Sequence, residues 1–194
     1  MAINTANVLA GVPDQAVTGA ILSNVKLVAA PTDFFASGWD TDFKDCGYIS
    51  EDGLTMGVSR STNDIKDWSA TVVKKILSEF QGTLKWSHLE VNEESFKTFF
   101  GEENVTVSAA TATQGTRLKA SLKAATLPHK SWAFRMKDGK AKIGIFVPDG
   151  QVTEADDITF SATDAIKLPV TLSCYPDKTG TTIYIYTDNG VFSA

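Results

Sequence analysis

Apolar and polar residues alternate along most of this chain with the two-residue period of half-buried strands. Thr18 to Val28 sets Ile21, Ser23, Val25 and Leu27 on one face until Pro31 ends the run. After the Glu51-Asp52-Gly53 turn, Leu54, Met56 and Val58 oppose Thr55, Gly57 and Ser59. Two further strands are expected at Ala70 to Phe80 and Gln81 to Leu89, with Leu84 and Trp86 opposite Thr83, Lys85 and Ser87. Trp132, Phe134 and Met136 alternate up to Asp138-Gly139, and Ile143, Ile145 and Val147 alternate down to Pro148-Asp149-Gly150; Asp-Gly between alternating runs is a strong hairpin signal. Strands are also expected at Thr116 to Ala124 and Ile158 to Ala162. A last hairpin is expected from Leu168 to Tyr175 and Thr181 to Thr187 around Pro176 to Gly180. One segment has the other period. Glu93 to Phe100 is a helix that Asn92 caps and Gly101 stops, with Glu93 and Glu94 at its positive end and Phe96, Phe99 and Phe100 on one face, packed as core. About nine or ten strands and one short helix predict a mainly β, antiparallel β-sandwich or rolled barrel.

The stretches between these runs are informative. Residues 1–17 are small and polar and predict an extended arm; residues 18–194 predict a single β domain. Pro31 to Asp45 is a long connection carrying Phe34, Phe35, Trp39 and Phe43, and connections of that length are usually functional. Arg60 to Trp68 breaks the alternation with charge yet holds Ile65 and Trp68, so it predicts an exposed loop that buries apolar side chains against a partner. Phe34, Phe35, Trp39, Arg60, Asp64, Ile65, Lys66 and Trp68 are therefore the candidate contacts with a partner. Arg117, Lys119 and Lys123 share a strand face that is either solvated or paired with an acidic edge, such as Glu102-Glu103 or Asp156-Asp157, on a neighbouring copy.

Composition narrows the function. With 194 residues and 43% hydrophobic content the chain buries a core without staples. A net charge of −5 argues against a duplex-DNA binder, which needs a concentrated basic face. Cys46 and Cys174 make neither a disulfide framework nor a zinc spacing and predict idle thiols in a reducing compartment. Met1 to Gly11 lacks a basic segment and a sustained apolar run, and no run approaches membrane-spanning length, so a protein kept soluble in a cytoplasm is expected.

Catalytic chemistry finds no foothold. His88 and His129 lie outside any nucleophile or zinc context, and no P-loop, Gly-x-Ser-x-Gly or dinucleotide fingerprint occurs. Asp40 to Glu51 has a partial EF-hand spacing, but Lys44 stands at a ligand position and Asp45 at the turn glycine. No enzyme, cofactor or metal site is expected.

Gly47 to Gly53 (Gly-Tyr-Ile-Ser-Glu-Asp-Gly) followed by Arg60 to Trp68 (Arg-x-x-x-Asp-Ile-Lys-x-Trp) resembles the major tail tube proteins of long-tailed bacteriophages. The likeness extends to Thr18-Gly19-Ala20-Ile21, Glu90-x-Asn92 and Leu172-x-x-Tyr175-Pro176-Asp177. It implies two antiparallel sheets with a flanking helix, six such subunits in a ring, and rings stacked into a virion tail tube through which DNA passes. It also implies assembly in the host cytoplasm, with other copies, a tape measure, a tail terminator and a distal tail protein as partners, and no membrane. Phe34, Phe35 and Trp39 depart from the family pattern, where smaller residues are expected. Two rival readings are the inner tube of a contractile injection or type VI-like secretion system, and a carbohydrate-binding β-sandwich in which Trp39, Trp68 and Trp132 stack on sugars.

Overall fold

The alternating segments become strands, and the computed structural model, which describes residues 8–14 and 20–192, places eleven of them with one short helix. Nine form an antiparallel sheet: β1 (Val12–Pro13), β2 (Ile21–Asn24), β3 (Lys44–Asp45), β4 (Thr55–Lys66), β5 (Val72–His88), β8 (His129–Asp138), β9 (Ala141–Ala155), β10 (Leu168–Tyr175) and β11 (Tyr184–Asp188). Their order is β3-β2-β8-β9-β10-β5-β4, with β1 added to β8 and β11 to β9. A two-stranded ladder of β6 (Val105–Ser108) and β7 (Arg117–Ala120) stands apart, and α1 (Glu93–Phe100) follows β5 in the chain.

The sheet is rolled. β8 and β5 are three strands apart, which in a flat sheet means about 14 Å. Yet the Trp86 ring on β5 lies 5.5 Å from Trp132 and 5.3 Å from Phe134 on β8. The curl closes one apolar face on itself: Ile21, Leu84, Trp86, Trp132, Phe134, Ile145, Val147, Val152, Val170 and Leu172 form one buried cluster. Because side chains alternate, the next residues along the same strands, Leu22, Ala133 and Phe146, point to the opposite face. That face needs a cover of its own.

Several boundaries differ from the sequence expectation. Arg60 to Lys66 is not a loop but the outer half of β4, and Ala70 to Phe80 with Gln81 to Leu89 is one strand, β5. β9 runs on to Ala155, because past Gly150 it gains a second partner, β10; no strand forms at Ile158 to Ala162. β10 and β11 do not make a hairpin. Both run antiparallel to β9 and lie end to end along it, β10 from Ala155 to Asp149 and β11 from Phe146 to Lys142. The Thr116 to Ala124 strand shortens to Arg117–Ala120. Of the expected arm, residues 1–7 and 15–17 lie outside the described residues, as do Thr18 and Gly19. Val12 and Pro13 pair with Lys137 and Met136, and Asp14 meets Lys137 at 2.6 Å.

The helix follows its sequence signals closely. Asn92 Oδ1 accepts the Ser95 amide at 2.8 Å, Ser95 Oγ accepts the Asn92 amide at 2.9 Å, and Gly101 ends the helix with φ 97°. Ser95 and Thr98 are its buried residues; of the three phenylalanines, all half-buried, Phe99 packs on the main cluster.

His88 ends β5 fully buried. Its Nε2 accepts the Trp86 indole N–H at 3.0 Å, which places the imidazole proton on Nδ1, near the Cys46 backbone but short of a well-formed hydrogen bond. Burial pushes its pKa down to about 4, with the Cys46 backbone acting weakly the other way. The unfolded chain binds the proton near pH 6.5, so between those values it takes up protons that the folded chain refuses. Stability is therefore complete above pH 6.5 and falls by about 3 kcal/mol as the pH drops towards 4. Denaturant titrations at pH 7, 5.5 and 4.5 are expected to show this loss, and His88→Gln is expected to flatten it.

Candidate assembly arm and its surroundings

β10 pairs with β5 only over Gly82–His88, so from Val72 to Gln81 the sole ladder partner of β5 among the described residues is β4. The two strands thus leave the body as a free two-stranded arm, and every residue from Ser59 to Gln81 is exposed. Its outer end, from Arg60 to Lys66, extends about 20 Å at the usual strand rise.

The arm is apolar where a solvated hairpin is not. Val58, Ile65, Val72, Val73, Ile76, Leu77 and Phe80 are all exposed, and Trp68 at the tip is fully so. Monomeric proteins rarely expose so many apolar side chains on one hairpin. The polar candidates on the arm are partly used within it: Asp64 and Lys75, directly opposite, pair at 2.9 Å, and the Arg60 guanidinium sits 5.1 Å over the Phe80 ring. Lys66 is exposed at the last rung.

The tip has a defined shape. Asp67 Oδ1 accepts the Ser69 amide at 2.9 Å, the Ser69 hydroxyl at 2.7 Å and the Thr71 amide at 2.9 Å. The Thr71 carbonyl accepts the Asp67 amide, and Ala70 adopts φ 63°. Hydrogen bonds to Ser69 hold the Asp67 carboxyl below its ordinary pKa. The turn thus presents Trp68 to solvent on a preformed loop.

The aromatic connection is placed differently. Phe34, 3% exposed, joins Leu22, Ala133 and Phe146 as core, so it is corrected from contact residue to the cover of the outer face. It stacks on Tyr186 at 5.3 Å, and the Trp39 indole N–H donates to its carbonyl at 2.9 Å. Phe35 and Trp39 are half-buried against it, and Asp40 is ion-paired with Arg135. This corner depends on Gly144, where an added Cβ would stand 2.2 Å from Phe34 Cδ1. The glycine gave no signal in the sequence.

The Gly47 to Gly53 turn is a clasp on the body. Ile49 bridges to His88, the Ser87 carbonyl accepts the Ser50 amide at 2.8 Å, and the Tyr48 carbonyl accepts the Leu89 amide at 2.9 Å. Arg117 and Lys119 project, exposed, from β7, and Lys123 lies beyond its end. Glu102 is engaged within the chain by Lys97 at 3.0 Å and Lys130 at 2.8 Å, which leaves Asp156 and Asp157 as the freer acidic pair. Trp132 is 1% exposed, which removes it from any sugar-stacking surface.

A rolled antiparallel sheet with one flanking helix and a projecting arm agrees with what the sequence resembles, and a model of the phage tail tube protein family matches residues 1–192. The chain belongs to the phage tail tube protein family. Its role is structural, as a component of the virion tail. Among solved structures this tail tube protein resembles the tube-terminating cap of the anti-feeding prophage, with 9% identity, a TM-score of 0.50, and 97% of this chain and 95% of that one covered. A chain from the sheath-tube complex of an extracellular contractile injection system, PVC, in its extended state has 10% identity and a TM-score of 0.48, over 96% and 100% of the two chains. At such identity the first likeness concerns the fold alone. No curated protein sequence matches the tail tube protein.

Proposed function

We propose that this tail tube protein self-assembles, arm to neighbouring copy, into six-membered rings that stack into the conduit for DNA leaving the capsid. The observation that carries the reading is the β4–β5 arm: a projecting two-stranded ladder that holds eight exposed apolar side chains, from Val58 to Phe80. Burying that surface against a second copy is worth far more than leaving it in water. The outer edge of β4 adds a row of backbone groups that a neighbour's strand can pair with, closing the sheet edge-free.

The same strands carry a polar face. Thr55, Ser59 and Ser61 on β4 and Thr83, Gln81 and Glu79 on β5 lie opposite the core side, where Leu84 and Trp86 are buried. Turned towards a bore, this hydroxyl-rich wall carries Lys85 beside Thr55 with Glu79 further out along the same face, and each copy adds a net −5 to the tube. DNA slides past such a surface. The tape measure, tail terminator and distal tail proteins meet the tube along its length and at its ends, after assembly in the host cytoplasm.

Trp68→Ala tests the arm directly. Its side chain is fully exposed among the described residues, so thermal stability is expected to change by less than about 0.5 kcal/mol. An aromatic anchor at an interface centre is worth about 2 kcal/mol or more, so the concentration needed for tubes in negative-stain micrographs is expected to rise at least about tenfold. Equal losses of folding and assembly would sink the assignment.

A further inference from the structure

At the base of the arm lies a groove of about 370 Å³, open on one side. Val58, Arg60 and Phe80 form its arm wall, and Thr182, Ile183 and Ile185, from the connection after β10 and from β11, form the other. Val58, Phe80 and Ile185 are each exposed there. The second wall is held in place. Asp177 Oδ1 accepts the amides of Thr179 and Thr181 at 2.8 and 3.1 Å, and the Tyr184 hydroxyl donates to Oδ2 at 2.8 Å, so the connection behind the groove is tied down before anything binds. A preformed slot saves the ordering cost that loops otherwise impose on association.

We infer that this groove is the socket for the arm tip of a second copy, with the Trp68 indole between Phe80 and Ile185 and the Asp67 carboxylate on Arg60. The inference rests on the arm being the assembly element. Charge and shape point to that occupant. Arg60 has no carboxylate partner among the described residues, while its guanidinium already stacks on Phe80 at the groove's edge. Asp67 directs its turn bonds to Oδ1, so Oδ2 is available to an outside donor, next to an indole that faces solvent. The tip therefore carries one aromatic ring and one anion, and the groove offers an apolar slot and one cation.

The tip cannot fill its own socket. Both lie on the same ladder, and the ladder holds the tip about 20 Å from the groove at strand rise. The contact must join two copies, and donor and acceptor are different surfaces of one chain, which lets it run head to tail. Each subunit then has one arm to give and one groove to fill. That is the connectivity of head-to-tail assembly, which closes into a ring or continues as a filament according to the rotation between copies.

The test places the photo-crosslinker benzoylphenylalanine at position 68 and mixes the chain, isotope-labelled, into an excess of unlabelled wild-type protein under tube-forming conditions. Mass spectrometry is expected to find cross-links from position 68 of labelled chains to residues 180–185 or 56–60 of unlabelled ones. Ile185→Glu is expected to suppress tubes while keeping the melting temperature. Normal tubes with cross-links only to another face, or with Ile185→Glu assembling like the wild type, would overturn the socket and leave the assembly reading standing. A wild-type chain that stays monomeric at high concentration would overturn the assembly reading, and the socket with it.

Discussion

Replacing residues 61–79 with Asn-Gly is expected to give a well-folded protein that forms no tubes. Arg60 and Phe80 are directly paired, so a two-residue turn can join them without changing the register of the remaining ladder. The deletion removes Ile65, Trp68, Val72, Val73, Ile76 and Leu77, all exposed, so it uncovers no core and costs the body little. Melting by circular dichroism should stay within a few degrees of the parent, and solubility at high concentration should rise as the apolar surface goes. Negative-stain micrographs should show no tubes at concentrations where the full chain forms them. A shortened protein that unfolds would mean that the arm supports the body after all; one that still forms tubes would remove the arm from the assembly contact.

Phe34→Ala should be the most damaging single change in the outer cluster. The ring is buried among Leu22, Ala133 and Phe146 and stacked on Tyr186, and truncating such a residue costs about 3–5 kcal/mol. Gly144→Ala should also destabilise, because its new methyl group would meet Phe34 Cδ1 at 2.2 Å and Cε1 at 2.4 Å. The two changes share one cause. In the Phe34→Ala background the methyl group has room, so the cost of Gly144→Ala should shrink by about 1 kcal/mol or more in a denaturant double-mutant cycle. Additive costs would show that the glycine serves the backbone and not the ring.

Much of this architecture was legible because its signals are local. Asn92, Ser95 and Gly101 delimit α1, and the Asp138-Gly139 turn between alternating runs sets β8 against β9. The arm was only half legible. Ile65 and Trp68 stood out as apolar residues among charges, but the ladder bulges between Ser61 and Thr62 and again between Ile65 and Lys66, and each bulge breaks the period of two that marks a strand. The packing of Phe34 and Trp39 is hidden for a different reason. A sequence gives no sign that a sheet has an apolar second face until the partners of Ala133 and Phe146 are known, so aromatic residues in a connection look like contact residues when they are a lid. β10 and β11 look like a hairpin for the same reason: adjacency in the chain is visible, and a shared neighbour is not.

That shared neighbour has a consequence for synthesis. β5 waits for β10, more than seventy residues downstream, and β2 waits for β8, more than a hundred downstream. The arm waits for nothing, since its strands are joined by residues 67–71. Local pairings form early and distant ones late, so on the ribosome the nascent chain displays its adhesive hairpin before the body that should control it exists. Because the socket proposed for the tip needs Ile183 and Ile185, more than a hundred residues beyond Phe80, a growing chain has an arm to offer before it can receive one. Copies made only as far as the arm thus lack the groove that would join them to each other.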